Sequence, residues 1–279
     1  MINMRPFTAF EQKNLKFLVN HNVKFTQVEI TPMQEVLKAI NEEGNSVSKE
    51  LLRRFQSVKG QWFESEVTAD TGIGRTIESF LGISMNSDKT PDYKGIELKS
   101  HREKRSAKKN VLFTQTPDWD ISVLKSGREI VDKYGYIKED GFKTYQNTVQ
   151  CAPPNSHMLF LNVNHLDERL ELKAKKQKIE DIAAWRLVKL HQRLQTKHRE
   201  TFWIEVENEL SDGKEFFRYK QIEHTKNPNV GQFDVLLEQN IITVDLLLCR
   251  PSGHGDTYSF KIKKKGMPLL FPESVIHNI

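Results

Sequence analysis

The sequence predicts a mixed α/β fold, a central sheet with flanking helices, and three observations carry that reading. From Thr71 onward, short helical periods alternate with β-rich runs, the pattern of a layered α/β domain and not of a bundle or a sandwich. Ile241 to Cys249 is an almost unbroken apolar run of strand length. Asp212-Gly213 separates Thr201 to Leu210 from Glu215 to Ile222 and marks a hairpin turn.

Taken in order, Thr31-Pro32-Met33-Gln34 supplies a capping hydroxyl, a first-turn proline and a Gln at the box position, opening a helix to about Asn41. Ser46 or Ser48 caps a second helix carrying Leu51, Leu52 and Phe55. Met1 to Gly60 therefore reads as an N-terminal helical extension, and Gln61 to Ile279 as the main domain. Gly74 to Leu81 places Ile77, Phe80 and Leu81 on one helical face, and Ile96 to His101 and Val111 to Gln115 read as strands. Asp120 to Tyr134 reads as an amphipathic helix, His157 to Val163 as a strand and Asp181 to Leu194 as a helix. The hairpin, a helix at Phe233 to Gln239, the buried strand and a strand at Tyr258 to Ile262 complete the chain. Trp62, Trp119, Trp185 and Trp203 are read as core residues.

Composition excludes several classes. The 279 residues carry 42 Lys+Arg against 37 Asp+Glu, a net charge of +5, and are 37% hydrophobic, too apolar for a disordered chain. No run approaches the roughly 18 apolar residues of a membrane helix, and Met1 to Phe10 lacks a signal-peptide core, so a cytoplasmic protein without a membrane partner is expected. Cys151 and Cys249 lie far apart and read as reduced, buried thiols, not as a disulfide or a zinc site. Positive charge clusters at Lys99 to Lys109, including Arg102, at Lys173 to Lys178 and at Lys261 to Lys265, including Lys263. Such runs suit a polyanion, although each is also what a solvated face looks like.

The chemistry-bearing stretch is T-P-D-Y-K-G-I-E-L-K-S, Thr90 to Ser100. Strand alternation sends Ile96 and Leu98 to one side and Glu97 and Lys99 to the other, and the Lys94-Gly95 turn can return Asp92 beside that second face. Two carboxylates so placed suit Mg²⁺, and an adjacent lysine can orient water and balance charge on a phosphoryl group. A charged, solvated strand produces the same string, but a helix carrying Glu78 lies just upstream and a basic run follows. His101 shares the face of Glu97 and Lys99 by period two, which allows a phosphate or base contact. Gly72-Ile73-Gly74 lacks the strand and the G-K-[ST] of a nucleotide loop and reads as a close backbone approach to DNA or to the active site.

T-G-I-G-R-T-I-E-S-F-L (Thr71 to Leu81), P-D-Y-K-G-I-E-L-K-S-H (Pro91 to His101), L-F-T-Q-T-P (Leu112 to Pro117), K-Y-G (Lys133 to Gly135), V-D-L-L-L (Val244 to Leu248) and H-G-D-T-Y-S-F-K-I (His254 to Ile262) follow one another in this order. Together they resemble the MvaI/BcnI type II restriction endonucleases, a MutH-like branch of the PD-(D/E)xK nucleases, over about Gln61 to Ile262. The resemblance implies catalytic and recognition lobes, Asp92 and Glu97 as Mg²⁺ ligands, Lys99 serving the attacking water, and Glu78 as the family's additional acidic catalytic residue, a ligand of a second ion through water. It also implies His254 and Lys261 near DNA, with one extra residue between Gly255 and Tyr258 that unsettles the register of Lys261. The implied activity is Mg²⁺-dependent, site-specific cleavage of double-stranded DNA by an enzyme working as a monomer, with a cognate DNA methyltransferase as partner in the same system. Two alternatives are a MutH-like nickase serving repair and a DNA-binding protein of this fold that does not cut; the intact Asp92, Glu97 and Lys99 set speaks against the latter.

Overall fold

A computed structural model describes residues 47–67, 71–83, 90–103, 109–139, 141–249 and 255–279. Contacts divide the chain into Met1–Arg54 and Phe55–Ile279, a division falling ahead of the expected boundary at Gly60. The helix expected at Thr31 to Asn41 lies outside the described residues, while a helix over 47–57, α1, is present.

β1 (Phe63–Glu64) leads to α2 (Gly72–Leu81), β2 (Glu97–Arg102) and β3 (Lys109–Thr114). α3 (Gly127–Tyr134), β4 (Tyr136–Ile137) and β5 (Lys143–Val149) follow. A meander of β6 (Leu159–Asn164), β7 (Arg169–Lys175) and β8 (Ile179–Arg186) runs directly into α4 (Leu187–Lys197). The long hairpin β9 (Glu200–Ser211) and β10 (Lys214–Lys226) precedes α5 (Val230–Glu238), β11 (Ile242–Cys249) and β12 (Thr257–Lys263). A short α6 (Met267–Leu270) and β13 (Glu273–Asn278) end the chain.

Among the described residues these strands form three sheets: β1-β10-β9-β2 with β13 also on β10, then β3-β12-β11-β5-β4, and β6-β7-β8. Every pairing is antiparallel except β2 with β9, which runs parallel and sets Glu97 opposite Thr201 and Lys99 opposite Trp203. Parallel neighbours need a long crossover, and here it contains β3 to β8 and α4. The main core packs the second and third sheets with α3, α4 and α5 around Tyr145, Trp185, Phe233 and Phe260. Under the first sheet, Phe55, Phe63, Phe80, Phe217 and Tyr219 form an aromatic cluster. Among the described residues no helix is long and apolar enough to cross a membrane.

Three differences from the sequence reading have physical causes. The helix expected from Asp181 is a strand to Arg186 and a helix only from Leu187; Ile182, Ala183, Ala184 and Trp185 are all buried, and an apolar run buried on both faces carries no period to separate strand from helix. The helix expected from Asp120 starts at Gly127, where Ser126 Oγ accepts from the Glu129 N–H at 3.2 Å and Glu129 reaches back to the Lys125 N–H at 3.0 Å, a capping box. Trp185 and Trp203 are core residues, but Trp62 is 37% exposed with the Arg218 guanidinium 4.9 Å over its ring. Cys151 is half-buried, and burial pushes its thiol up to about 12, which makes it inert; nothing is described of the Cys249 side chain.

His198, just past α4, ties the first two sheets together. Fully buried, it stacks on Trp203 of β9 with ring centroids 5.4 Å apart, and its Nε2 lies 2.6 Å from the Leu112 carbonyl of β3 while Nδ1 lies 3.0 Å from Thr201 Oγ1. A carbonyl only accepts, so Nε2 carries the proton and Nδ1 accepts from Thr201. Burial pushes this imidazole down to about 3 from 6.5, with the Leu112 carbonyl opposing. The unfolded chain therefore takes up a proton that the folded chain refuses, and stability present above pH 6.5 is lost as pH falls towards 3, by up to about 4 to 5 kcal/mol. We expect the urea midpoint of His198→Gln to be lower than wild type near neutrality, through lost stacking, yet to fall less between about pH 6.5 and about pH 4.5. Equal falls in the two proteins would assign the acid sensitivity to other groups.

Candidate active site

The site begins with a turn. Tyr93 and Ile96 exchange backbone hydrogen bonds of 2.9 and 2.8 Å, and between them Lys94 and Gly95 take φ of 44° and 90°. The left-handed backbone at both central positions is the geometry of a tight hairpin turn, and glycine meets the second without strain. The chain thus doubles back, and Asp92 Oδ2 accepts the Leu98 N–H at 2.9 Å. This bond aims the Asp92 carboxylate at the start of β2 beside Glu97.

Glu97 lies on no solvated face: its side chain has no exposure at all. Lys99 Nζ stands 2.6 Å from Oε1, and Lys197 Nζ, from the last residue of α4, stands 2.8 Å from Oε2. Lys197 Nζ is also 3.8 Å from Asp92 Oδ1 and donates to the Thr90 carbonyl at 3.3 Å. Burial pushes the Glu97 carboxyl above its ordinary range; Lys99 opposes that, and Asp92 adds to it. Both Glu97 oxygens meet ammonium groups at ion-pair distance, yet neither has a hydrogen bond of regular angle. Buried oxygens with lone pairs so poorly met fit a hard cation. Among the described residues no group of three or more His, Cys, Asp or Glu side chains converges on one point. A divalent ion here would rest on Asp92 and Glu97, completed by water or phosphate oxygens, which is how Mg²⁺ is commonly held.

Lys99 and Lys197 both line a cleft of about 460 Å³ whose lining also includes Thr114 at the end of β3, Gln115 after it, and Asp256 and Thr257 at the start of β12. The cleft therefore runs from the β2–α4 cluster to the adjoining edge of the second sheet. Glu78, half-buried on α2, is raised by burial and next by the negative charge of Asp92, with Arg75 opposing. Gly72 makes its close approach to Ser65 and to the Val67 carbonyl, and not to the cleft; a Cβ would lie 2.6 Å from that oxygen.

The remaining candidates are spread out. His101 Nε2 lies 3.3 Å from Glu205 Oε2 on β9. Arg102 donates through Nε and Nη2 to the two oxygens of Glu215, each at 2.6 Å, in a pair only about a tenth exposed, so its planar fork is committed inside the protein. Lys261 Nζ lies 2.7 Å from Asp245 Oδ2, on a face shared with Lys109 and with Thr148, which donates to the other Asp245 oxygen. Lys263 lies opposite Lys109 in the β3–β12 register, and His254 lies outside the described residues. Nothing in the sequence singles out Lys197. It sits 100 positions from Glu97 and ends a helix, and no local pattern marks a helix-terminal lysine as facing a distant carboxylate.

The sequence profile of the MvaI/BcnI restriction endonuclease family matches residues 52–271. Among solved structures the chain is similar to the restriction endonuclease MvaI in complex with cognate DNA substrate, at 21% identity and a TM-score of 0.71. It is also similar to MvaI in the absence of DNA, at 22% identity and a TM-score of 0.50, and each match covers 82% of this chain and 97% of the other. No curated protein matches. The structural likeness shows the shared fold, and the profile spans most of the sequence, from within α1 to just past α6: the chain belongs to the MvaI/BcnI restriction endonuclease family.

Proposed function

We propose that the protein is a type II restriction endonuclease that hydrolyses phosphodiester bonds at specific sites of double-stranded DNA with Mg²⁺. The observation that carries the reading is the turn-and-strand cluster that brings Asp92 and the fully buried Glu97 together with Lys99, which lines the cleft. The greater likeness to MvaI held on its cognate DNA adds support for duplex DNA as the ligand.

In this reading Asp92 and Glu97 hold Mg²⁺, which when bound polarises a phosphoryl oxygen and eases loss of a proton from water. Asp92 is kept in place by the Leu98 N–H, so the two carboxylates keep their spacing without a third acidic partner. Lys99, about a third exposed and facing the cleft, orients the attacking water and stabilises charge on the phosphate. Water adds to phosphorus and the P–O3′ bond breaks; the oxygen takes up a proton, leaving a 3′-hydroxyl and a 5′-phosphate. Glu78, whose carboxyl is raised above its ordinary range by burial and by Asp92, serves as the additional acidic group. Basic residues hold phosphates while side chains of the recognition lobe read base edges. The enzyme works as a monomer on DNA, and a cognate methyltransferase protects the host.

Asp92→Ala and Glu97→Ala should each lower cleavage by at least about a hundredfold while leaving DNA binding in the absence of divalent ions within a few-fold of wild type. Incubation of pure protein with phage DNA and Mg²⁺, followed by sequencing of fragment ends, reads both activity and site. Cleavage near the wild-type rate in either variant would take the cluster out of the reaction.

Lys99→Arg should be slowed about as much as Lys99→Ala in single-turnover measurements, because a planar guanidinium cannot stand in for a compact ammonium beside both Glu97 and water. An Arg variant at near-normal rate would make Lys99 a phosphate contact alone.

Lys263→Ala should reduce the salt dependence of DNA binding by about one charge on every sequence. Arg102→Met should leave that slope unchanged and instead cost about 2 to 4 kcal/mol of stability, since it takes the guanidinium away from the nearly buried Glu215 carboxylate. A reduced slope for Arg102→Met, with unaltered urea stability, would return Arg102 to the DNA surface.

A further inference from the structure

Two lysines stand at Glu97, and the reaction just described uses one of them. Lys99 is 31% exposed and faces the cleft, whereas Lys197 is 11% exposed and points inward, its ammonium within 4 Å of Glu97 Oε2, Asp92 Oδ1 and the Thr90 carbonyl. Its place is set by rigid parts: α4 ends at Lys197, the following His198 is locked to β3 and β9, and the negative end of the helix dipole favours a cation there. Asp92 and Glu97 are thus already neutralised, charge for charge, by Lys99 and Lys197.

We infer that Lys197 is a built-in counter-ion that must leave the carboxylate pair before the pair can accept a divalent cation, and that the DNA backbone draws it away. This rests on the reading that Asp92 and Glu97 hold the ion. An ammonium 2.8 Å from one carboxylate and 3.8 Å from the other takes up the space and the charge that a shared cation needs, and the two positive centres repel at such range. Lys197 also lines the cleft, and its four-carbon stem is flexible enough to swing from Glu97 to a phosphate there. Ion binding and DNA binding then strengthen one another by the same factor, and the coupling runs through one side chain.

The test is calorimetric titration of Ca²⁺ into wild type, Lys197→Met and Lys197→Gln, with Lys265→Met as an exposed control, each with and without mixed-sequence duplex DNA. We expect both Lys197 variants to bind Ca²⁺ without DNA about tenfold or more tightly than wild type, and DNA to improve their Ca²⁺ affinity less than it improves the wild type's. A merely structural lysine would give the opposite sign, because a disordered site binds ions more weakly. Unchanged or weaker Ca²⁺ binding in whichever Lys197 variant keeps the wild-type circular dichroism overturns the inference, as does loss of folding in both, which would make Lys197 a structural residue. Asp92→Asn separates the two levels: if it still binds Ca²⁺ as wild type does, the reading of the carboxylate pair fails, whereas if it loses Ca²⁺ and the Lys197 variants gain nothing, only the role of Lys197 fails.

Discussion

A carboxylate with no access to water is the constraint from which the rest of this molecule follows. Glu97 has zero exposure, and an ion of that kind costs several kcal/mol to bury unless opposite charge arrives with it. Two ammonium groups do so, one from the same strand and one from a helix whose sequence position is remote. The strand, the turn before it and the end of α4 must therefore be held in mutual register to within a fraction of an ångström, and the fold supplies this. β2 is aligned along its length by β9, and α4 is stopped by His198, whose ring is clamped between Trp203 and the Leu112 carbonyl.

The same arrangement explains why the sheets are divided as they are. The first sheet carries the charged cluster on β2, and the second brings its β3–β12 edge to the cleft. That second sheet also carries an ion pair of its own, Asp245 with Lys261, with Lys109 beside it. The third sheet contributes packing: Leu170 and Leu172 of β7 and Trp185 of β8 are fully buried in the main core.

Local chemistry was legible in the sequence and long-range geometry was not. The Lys94-Gly95 turn and the Asp212-Gly213 hairpin are set by near neighbours, and each stands where the residues imply; the alternation expected along β2 is not seen in its burial, since Glu97 is its buried residue and Leu98 is only half-buried. The meander was read less well. β7, with Leu170, Leu172 and Ala174 buried in alternation, hid within a lysine-rich stretch, and β8 passed for the start of a helix because all of its central residues are buried. At the site, the carboxylates and Lys99 could be found because eight positions hold all three, from Asp92 to Lys99. Lys197 could not, since its partners are defined only once the crossover between β2 and β9 has closed. The burial of Glu97 was hidden for the same reason: alternation assigns a face to a side chain but not what later covers that face.

The parallel pairing of β2 with β9 has a consequence for synthesis. His101 and Glu205, partners across it, are 104 residues apart, so the ribosome releases Asp92, Glu97 and Lys99 long before it makes the strand that aligns them. Contacts of such long separation form late. The nascent polypeptide accordingly carries its reactive groups in a disarmed state, and an unfinished or truncated product ending before α4 lacks both Lys197 and β9. For a member of a restriction endonuclease family, topology itself withholds the assembled cluster until α4 and β9 have been made.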